Sequence, residues 1–157
     1  MILPQYRVGP SLIPGAGRGV FAAENIAAGR VIVAPDAIPC VHSIADVHAM
    51  PNADAALSAC VRWFEDRFTV TPEWPDECYL NHGFDANGLW HLGFVFAARA
   101  ILAGDEILID YRHLLDEGQE EVFLDALTGT SIVGWSWAES LRRSSAELAR
   151  LAANLHG

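Results

Sequence analysis

Three stretches of this sequence carry side chains that could do chemistry together. The heptapeptide NHGFDAN, residues 81–87, follows the apolar pair Tyr79 and Leu80 directly. A turn made for geometry alone relies on Gly, Asn and Asp, so the Asn81-His82 pair at a strand end exceeds what a turn needs. A carboxamide beside an imidazole is instead the equipment of a binding-site wall. A phenol, Tyr111, ends the run Glu106-Ile107-Leu108-Ile109-Asp110-Tyr111. The third stretch is PGAGRGVFA, residues 14–22, where Gly17, Arg18 and Gly19 can bring backbone close to a ligand because glycine lacks Cβ. Taken alone, that stretch reads as a tight β-turn.

Other chemistries fail on spacing. The glycines run G-x-G-x-G into an apolar β-like segment with no βαβ unit, so a dinucleotide fingerprint is excluded. A phosphate loop lacks its lysine. His42, His48 and Cys40 match no zinc pattern, and no metal is expected. Cys78 stands four residues before His82, but a cysteine is more often a small buried hydrophobe than a nucleophile. No Gly-x-Ser-x-Gly elbow occurs.

The elements that must position these groups are short. Tyr6–Val8, Val20–Ala22 and Val31–Ala34 read as β segments punctuated by Gly and Pro. From Asn52 the spacing of Leu57, Val61, Phe64 and Phe68 predicts a helix of about a dozen residues, capped by Asn52 or Asp54 and ending near Thr69-Val70-Thr71-Pro72. LWHLGFVFAARAI reads as a strand with Trp90, Leu92, Phe94 and Phe96 on one face, and Ala103-Gly104-Asp105 turns the chain into a neighbouring strand. Glu117 to Leu127 reads as a helix stopped at Gly129. Ser136-Trp137-Ala138-Glu139 is a capping-box pattern ahead of Leu141, Leu148, Leu151 and Leu155. That stripe can pack on its own core or on a second copy in a homodimer, own-core packing being preferred.

At 157 residues, 52% hydrophobic and 19% charged, the chain fits one compact domain. No apolar run approaches bilayer length and the N-terminus shows no leader pattern, so no membrane association and a soluble, cytoplasmic protein are expected. Three unclustered cysteines suggest reduced thiols. The formal charge is -10, and all ten basic residues are arginine. An acidic surface repels phosphate backbones and attracts cations, which argues against nucleic acid and for a basic peptide partner.

The order of the motifs is more specific than any one of them. GRGVFAAENIAAGRVI at 17–32, NHGFDAN at 81–87 and ARAILAGDEILIDYR at 98–112 together resemble the SET domain, the family of protein lysine methyltransferases. The resemblance spans residues 15–112. It implies a mainly β (α+β) fold, a β-clip of small sheets in which the Asn-His segment and the final Tyr are threaded together as a pseudoknot. On that reading residues 1–39 are the N-terminal β part, 40–76 a short helical insert, 77–112 the cofactor and catalytic part and 113–157 a helical C-terminal extension.

It also implies S-adenosylmethionine as cofactor, with Gly17, Arg18 and Gly19 presenting backbone, Asn81 and His82 holding the cofactor's ends, and Tyr111 as the catalytic tyrosine also facing the cofactor. Asn87 takes a structural part. Gly83, Phe84 and Ala86 stand where the family has Ser, Cys and Pro, and no cysteine follows Cys78, so the cysteine-rich zinc segment found after many such domains is missing. The C-terminal segment is then expected to close the site, with Tyr79, Phe96, Trp135 and Trp137 lining a channel for the substrate lysine. The substrate implied is a basic protein or peptide. A chain that keeps the fold as a non-catalytic interaction module is the alternative, and the retained Asn81, His82 and Tyr111 favour the enzyme.

Overall fold

The computed structural model describes residues 1–35, 41–71 and 73–154; Cys40, Pro72 and Leu155 lie outside them. Strands β1 (Tyr6–Pro10) and β2 (Arg18–Ala22) form an antiparallel pair in which Gly9 faces Gly19. Val20, Phe21 and Ala22 are all buried, which pins the register of the pair. Their connecting loop closes through Ser11 N–H donating to the Gly17 carbonyl at 2.9 Å. Gly17 sits there at a φ of 74°, a conformation that a side chain would strain.

After β3 (Val31–Val33) the chain enters an excursion of β4 (His42–Ser43), α1 (Ile44–His48), α2 (Ala53–Ser58), β5 (Cys60–Phe64) and β6 (Arg67–Val70). Ser43 and Asp46 cap α1 reciprocally. The long helix expected from Asn52 is instead the six-residue α2, and Asn52, although at the N-cap, makes no side-chain cap bond. The residues at helical spacing beyond it lie on the β5–β6 hairpin. CVRWF and RFTV are rich in β-branched and aromatic residues. Glu65, at a φ of 49°, reverses the chain between them. Phe68 then drops into a small cluster with Val47 and Ala56.

Past a 3-10 turn at Asp76–Tyr79 come β7 (Asn81–His82), β8 (Gly88–His91), β9 (Phe94–Ala97) and β10 (Leu108–Ile109), followed by a second 3-10 turn at Tyr111–His113. The single strand expected over LWHLGFVFAARAI is a hairpin, because Leu92 and Gly93 both take positive φ, 52° and 82°, in a two-residue turn. Strands β3, β9 and β8 form one sheet in that order. The core gathers on it, with Val20, Ile32, Val95, Ile101, Ile107 and Leu114 in one cluster.

Residues 117–127, expected as helix, contribute β11 (Glu120–Leu124), which pairs with β12 (Ser131–Val133). Val122, Phe123 and Leu124 form a contiguous apolar run rather than a helical stripe, and all three are exposed. The reversal is built by Asp125 accepting from Thr128 N and Oγ1 at 2.7 and 2.6 Å, with Gly129 at a φ of 67°. Helix α3 (Trp137–Asn154) closes the chain. Ser136 Oγ caps it by accepting from Glu139 N at 3.2 Å, while the Glu139 carboxylate pairs with Arg142 and Arg143 instead of completing the box.

Helix α3 packs against β8 of its own domain. Its buried face is made of Ser140, Ser144 and Leu151, with Leu141 and Leu148 only half-buried. Serine wins at these positions because each hydroxyl meets a histidine: Ser144 Oγ lies 2.9 Å from His91 Nδ1 and Ser140 Oγ 2.8 Å from His113 Nδ1. The expected arrangement, small sheets with a C-terminal helix, is the one observed. No helix among the described residues is long and apolar enough to cross a membrane.

Candidate active site

The centre of the site is the parallel pairing of β7 with β10, in which Asn81 faces Leu108 and His82 faces Ile109. Gly83 N–H extends it by donating to the Ile109 carbonyl at 3.1 Å. Asn87 clamps the same two segments from within. Its Nδ2 donates to the Glu106 carbonyl and its Oδ1 accepts from Leu108 N, both at 2.9 Å. A buried carboxamide here replaces two missing ladder bonds, so substituting it leaves two backbone groups unpaired. Residues 81–87 and 106–111, distant in sequence, are thereby laced side by side.

Successive strand residues point to opposite faces, so Asn81 and His82 serve two different surroundings. On the Asn81 side, its Nδ2 donates to the Arg18 carbonyl at 2.7 Å, to Glu106 Oε1 at 2.9 Å and to Ser11 Oγ at 3.2 Å. Glu106 is buried, and its carboxylate also accepts from Ser11 Oγ at 2.7 Å and Leu12 N at 2.8 Å. Hydrogen bonds thus hold this carboxylate in place of a paired cation. Gly19 is required for the approach, since a Cβ there would come within 2.2 Å of Glu106 Oε1. A Cβ at Gly17, by contrast, would meet nothing within 4 Å, so that backbone faces open space. Asn81 Oδ1 accepts no hydrogen bond among the described residues.

On the His82 side, Nδ1 accepts from Tyr111 N at 3.1 Å. The two rings lie 5.4 Å apart, and Phe84 meets the imidazole edge-on at 4.7 Å. Burial lowers the His82 pKa from its ordinary value, against the opposing pull of Asp110 and Asp125. His82 Nε2 is buried without a hydrogen-bond partner and lies 3.9 Å from Asp125 Oδ2. Tyr111 donates its hydroxyl to the Leu80 carbonyl at 2.8 Å. Burial, reinforced by Glu121, raises its pKa well above the ordinary phenol value, so it stays protonated near neutrality.

Asp110, just past the end of β10, engages Arg112 beside this pair. It caps the second 3-10 turn through Arg112 N at 3.0 Å and grips the Arg112 guanidinium at 2.5 to 3.0 Å. That guanidinium lies over both Phe84, at 4.6 Å, and Trp135, at 4.2 Å. A cleft of about 450 Å³ opens beside it, lined by Phe84, Trp90, Asp110, His113, Trp135 and Arg143 among others. Tyr111 itself is not among its walls.

Of the four aromatics expected along a channel, Trp135 borders this cleft. Tyr79 lies elsewhere, beneath the Arg18 guanidinium at 4.8 Å and against Trp74. Phe96 stays on β9 with its ring 6.1 Å from Phe94, and Trp137 opens α3; neither borders the cleft. The C-terminal segment does return to the site, through Trp135 and Asp125 rather than through Trp137. Buried Arg62 of β5 secures that return by donating Nη2 to the Trp135 and His113 carbonyls at 3.0 and 3.3 Å.

Ser11, Arg62, Glu106 and Asp125 are the residues that sequence reasoning did not place in the site. Glu106 carried a usable signal, a carboxylate opening an apolar strand in a chain with no lysine to pair it. Ser11, Arg62 and Asp125 carried none, because each acts only through a contact distant in sequence. Among the described residues no group of His, Cys, Asp and Glu is arranged to hold a metal ion.

The family model for the SET domain matches residues 17–112. No curated protein matches the chain. Among solved structures, the chain is similar to the Chaetomium thermophilum Polycomb Repressive Complex 2 bound to GSK126, at 18% identity and a TM-score of 0.56, covering 93% of this chain and 23% of that one. A humanized mutant of the same complex bound to the inhibitor GSK343 gives 16% identity and a TM-score of 0.59, covering 92% and 22%. An active polycomb repressive complex 2 in the basal state gives 21% and 0.55, covering 69% and 15%. The chain therefore spans less than a quarter of the length of these neighbours, and the likeness is one of fold.

Proposed function

Since the chain belongs to the SET domain family, whose fold is that of lysine methyltransferases, we propose that it transfers a methyl group from S-adenosylmethionine to a lysine side chain of a basic protein. The observation that carries this reading is the parallel β7–β10 pairing, which brings Tyr111 onto His82 on one face while Asn81 holds the Arg18 backbone and Glu106 on the other. The residues present suit the cofactor. Asn81 Oδ1 is an open acceptor for a donor group of the cofactor, its Nδ2 is held by the Arg18 carbonyl and Glu106, and the Gly17 backbone faces open space. When bound, S-adenosylmethionine supplies an electrophilic methyl group on a positively charged sulfur.

What the protein must add is alignment and a neutral amine. Orienting two reactants in line is worth about 7–11 kcal/mol. Deprotonating a lysine of pKa ~10.4 at pH 7 costs about 4–5 kcal/mol, so alignment is the larger contribution. An apolar, cation-bearing surrounding disfavours the ammonium form and lowers the second cost without a carboxylate base. Tyr111 suits the role of positioner. Its phenol stays protonated, and its orientation is set at both ends, by His82 at the backbone and Leu80 at the hydroxyl. A fixed dipole at that place acts without reorganising.

A basic substrate fits the β11 surface. Exposed Glu120 and half-buried Glu121 stand beside the exposed Val122 and Phe123, offering charge for a lysine- or arginine-rich segment and apolar area for its neighbours. A labelled-methyl assay across a panel of basic proteins tests the reading. Turnover should appear for at least one of them and fall roughly a hundredfold in Tyr111→Phe, with cofactor affinity retained. Full activity in that variant would remove Tyr111 from the mechanism. A chain that binds the cofactor and methylates nothing in the panel would favour an interaction module.

A further inference from the structure

We propose that Asp125 is a positioning residue for this site: its carboxylate takes the Nε2–H of His82 and so fixes the imidazole on which the Tyr111 backbone rests. Geometry decides the tautomer. Nδ1 of His82 accepts from Tyr111 N at 3.1 Å, so its lone pair points there and the proton of the neutral ring sits on Nε2. That N–H is buried and partnerless, a condition that costs about 1–3 kcal/mol where it persists. The carboxylate facing it is Asp125 Oδ2 at 3.9 Å, and both side chains are only 4% exposed.

Asp125 is prepared for this role by its own turn. Oδ1 is occupied by Thr128 N and Oγ1, and the backbone is held by Asp125 N donating to the Thr130 carbonyl and Gly129 N donating to the Asp125 carbonyl. Oδ2 faces the imidazole, with the Leu127 N–H also against the carboxylate. The burial is otherwise hard to explain, since the strand leading into Asp125 is largely exposed and Val122 is 100% so. The hairpin buries Ile132 of β12 and, at its turn, the Asp125 carboxylate, while most of β11 stays in solvent. At 3.9 Å the pair is too long for a hydrogen bond, and closing it to about 3 Å needs a shift of about 1 Å. The charged groups facing His82 are Asp110, Asp125 and Arg112, and Arg112 is already paired with Asp110. Asp125 lies outside residues 17–112, so this contact couples the C-terminal hairpin to the family-matched part.

The consequence for turnover rests on the methyltransferase reading; the state of the imidazole does not. Nitrogen-15 NMR of the full chain, labelled at histidine, reads that state directly in wild type, Asp125→Asn and Asp125→Glu. Asn is isosteric and can keep the Thr128 contacts, so the hairpin turn survives while the charge is lost. The wild-type ring should be the Nε2–H tautomer. Its pKa should drop by about one unit in Asp125→Asn, a tenfold loss in proton affinity, and recover part of the way in Asp125→Glu. Where methyl transfer is seen, kcat should fall about tenfold in Asp125→Asn with KM within twofold, since a positioning defect acts on alignment. An Nδ1–H tautomer, or a His82 titration identical in wild type and Asp125→Asn, would overturn the proposal. Should the protein methylate nothing, the NMR comparison still decides the role of Asp125, and only the functional reading fails.

Discussion

Residues 17–112 and residues 113–154 are held together by different physics. The first region buries an apolar cluster on the β3–β9–β8 sheet, where Ile107 and Val95 are fully inaccessible. The second buries fewer apolar side chains, Leu114, Leu115, Ile132 and Leu151, exposes Val122, Phe123 and Leu127 on its hairpin, and adds polar contacts: Arg62 to two carbonyls, His113 to Ser140, His91 to Ser144, and Asp125 facing His82. Hydrophobic burial is non-directional and tolerant, whereas each polar fastening depends on one geometry. The difference teaches that substitutions in the scaffold presenting Asn81 and Tyr111 act mainly through packing, whereas those in the C-terminal part act more through single polar contacts.

The sharpest way to break that comparison is a pair of truncations. Ile107→Ala should cost about 2–5 kcal/mol of unfolding free energy, as large-to-small changes in packed cores do. Val122→Ala should stay within about 0.5 kcal/mol, because its side chain already faces water. Urea unfolding of both variants checks this, and equal costs would show that the hairpin is covered after all.

A second effect of comparable size sits at the junction. His113 is buried against Trp135 and Ser140, and burial pushes its pKa down to about 4. An unfolded histidine titrates near 6.5, so between those values the unfolded chain binds the extra proton and unfolding is favoured. This contribution is absent above about pH 7, and stability is lost as pH falls from 6.5 toward 4, approaching about 3 kcal/mol in total. His82 and His91, also lowered by burial, act in the same direction. His113→Asn should flatten the fall of Tm between pH 7 and pH 5; an unchanged slope would place the pH dependence elsewhere. Smallest is the effect of the hairpin's charges. Reversing Glu120 and Glu121 to lysine should weaken a basic peptide by about tenfold at low salt, and much less at high salt, where exposed charges are screened.

Much of the scaffold was legible in the residues. The β1–β2 and β3 segments, the Asn-His strand end and the run into Tyr111 stand where apolar alternation and glycine punctuation put them. The two helices that fail are both hairpins, one reversed at Glu65 and the other at the Asp125–Gly129 turn. Leu57, Val61, Phe64 and Phe68 fit a helical period, but a single reversal at Glu65 turns the same spacing into a hairpin, and a non-glycine residue at positive φ gives no warning in sequence. Leu92 misled in the same way. Around the site, local pattern singled out Asn81 and His82 and the family resemblance supplied Tyr111; the meeting of His82 with Tyr111 follows from a parallel pairing across more than twenty residues, which no local pattern encodes. Phe96 and Trp137 do not border the cleft that Trp135 lines, because the sequence places a ring on an element but not that element against the cleft.

Binding of S-adenosylmethionine, followed by titration calorimetry on the full chain, bears most directly on the central claim. The expected result is one molecule bound per chain, with affinity reduced at least tenfold in Asn81→Ala, where the open carboxamide acceptor and its contact to Glu106 are both removed. Absence of detectable heat with the wild-type protein, or an Asn81→Ala variant that binds as tightly, would contradict the assignment of this face of β7 to a methyl donor.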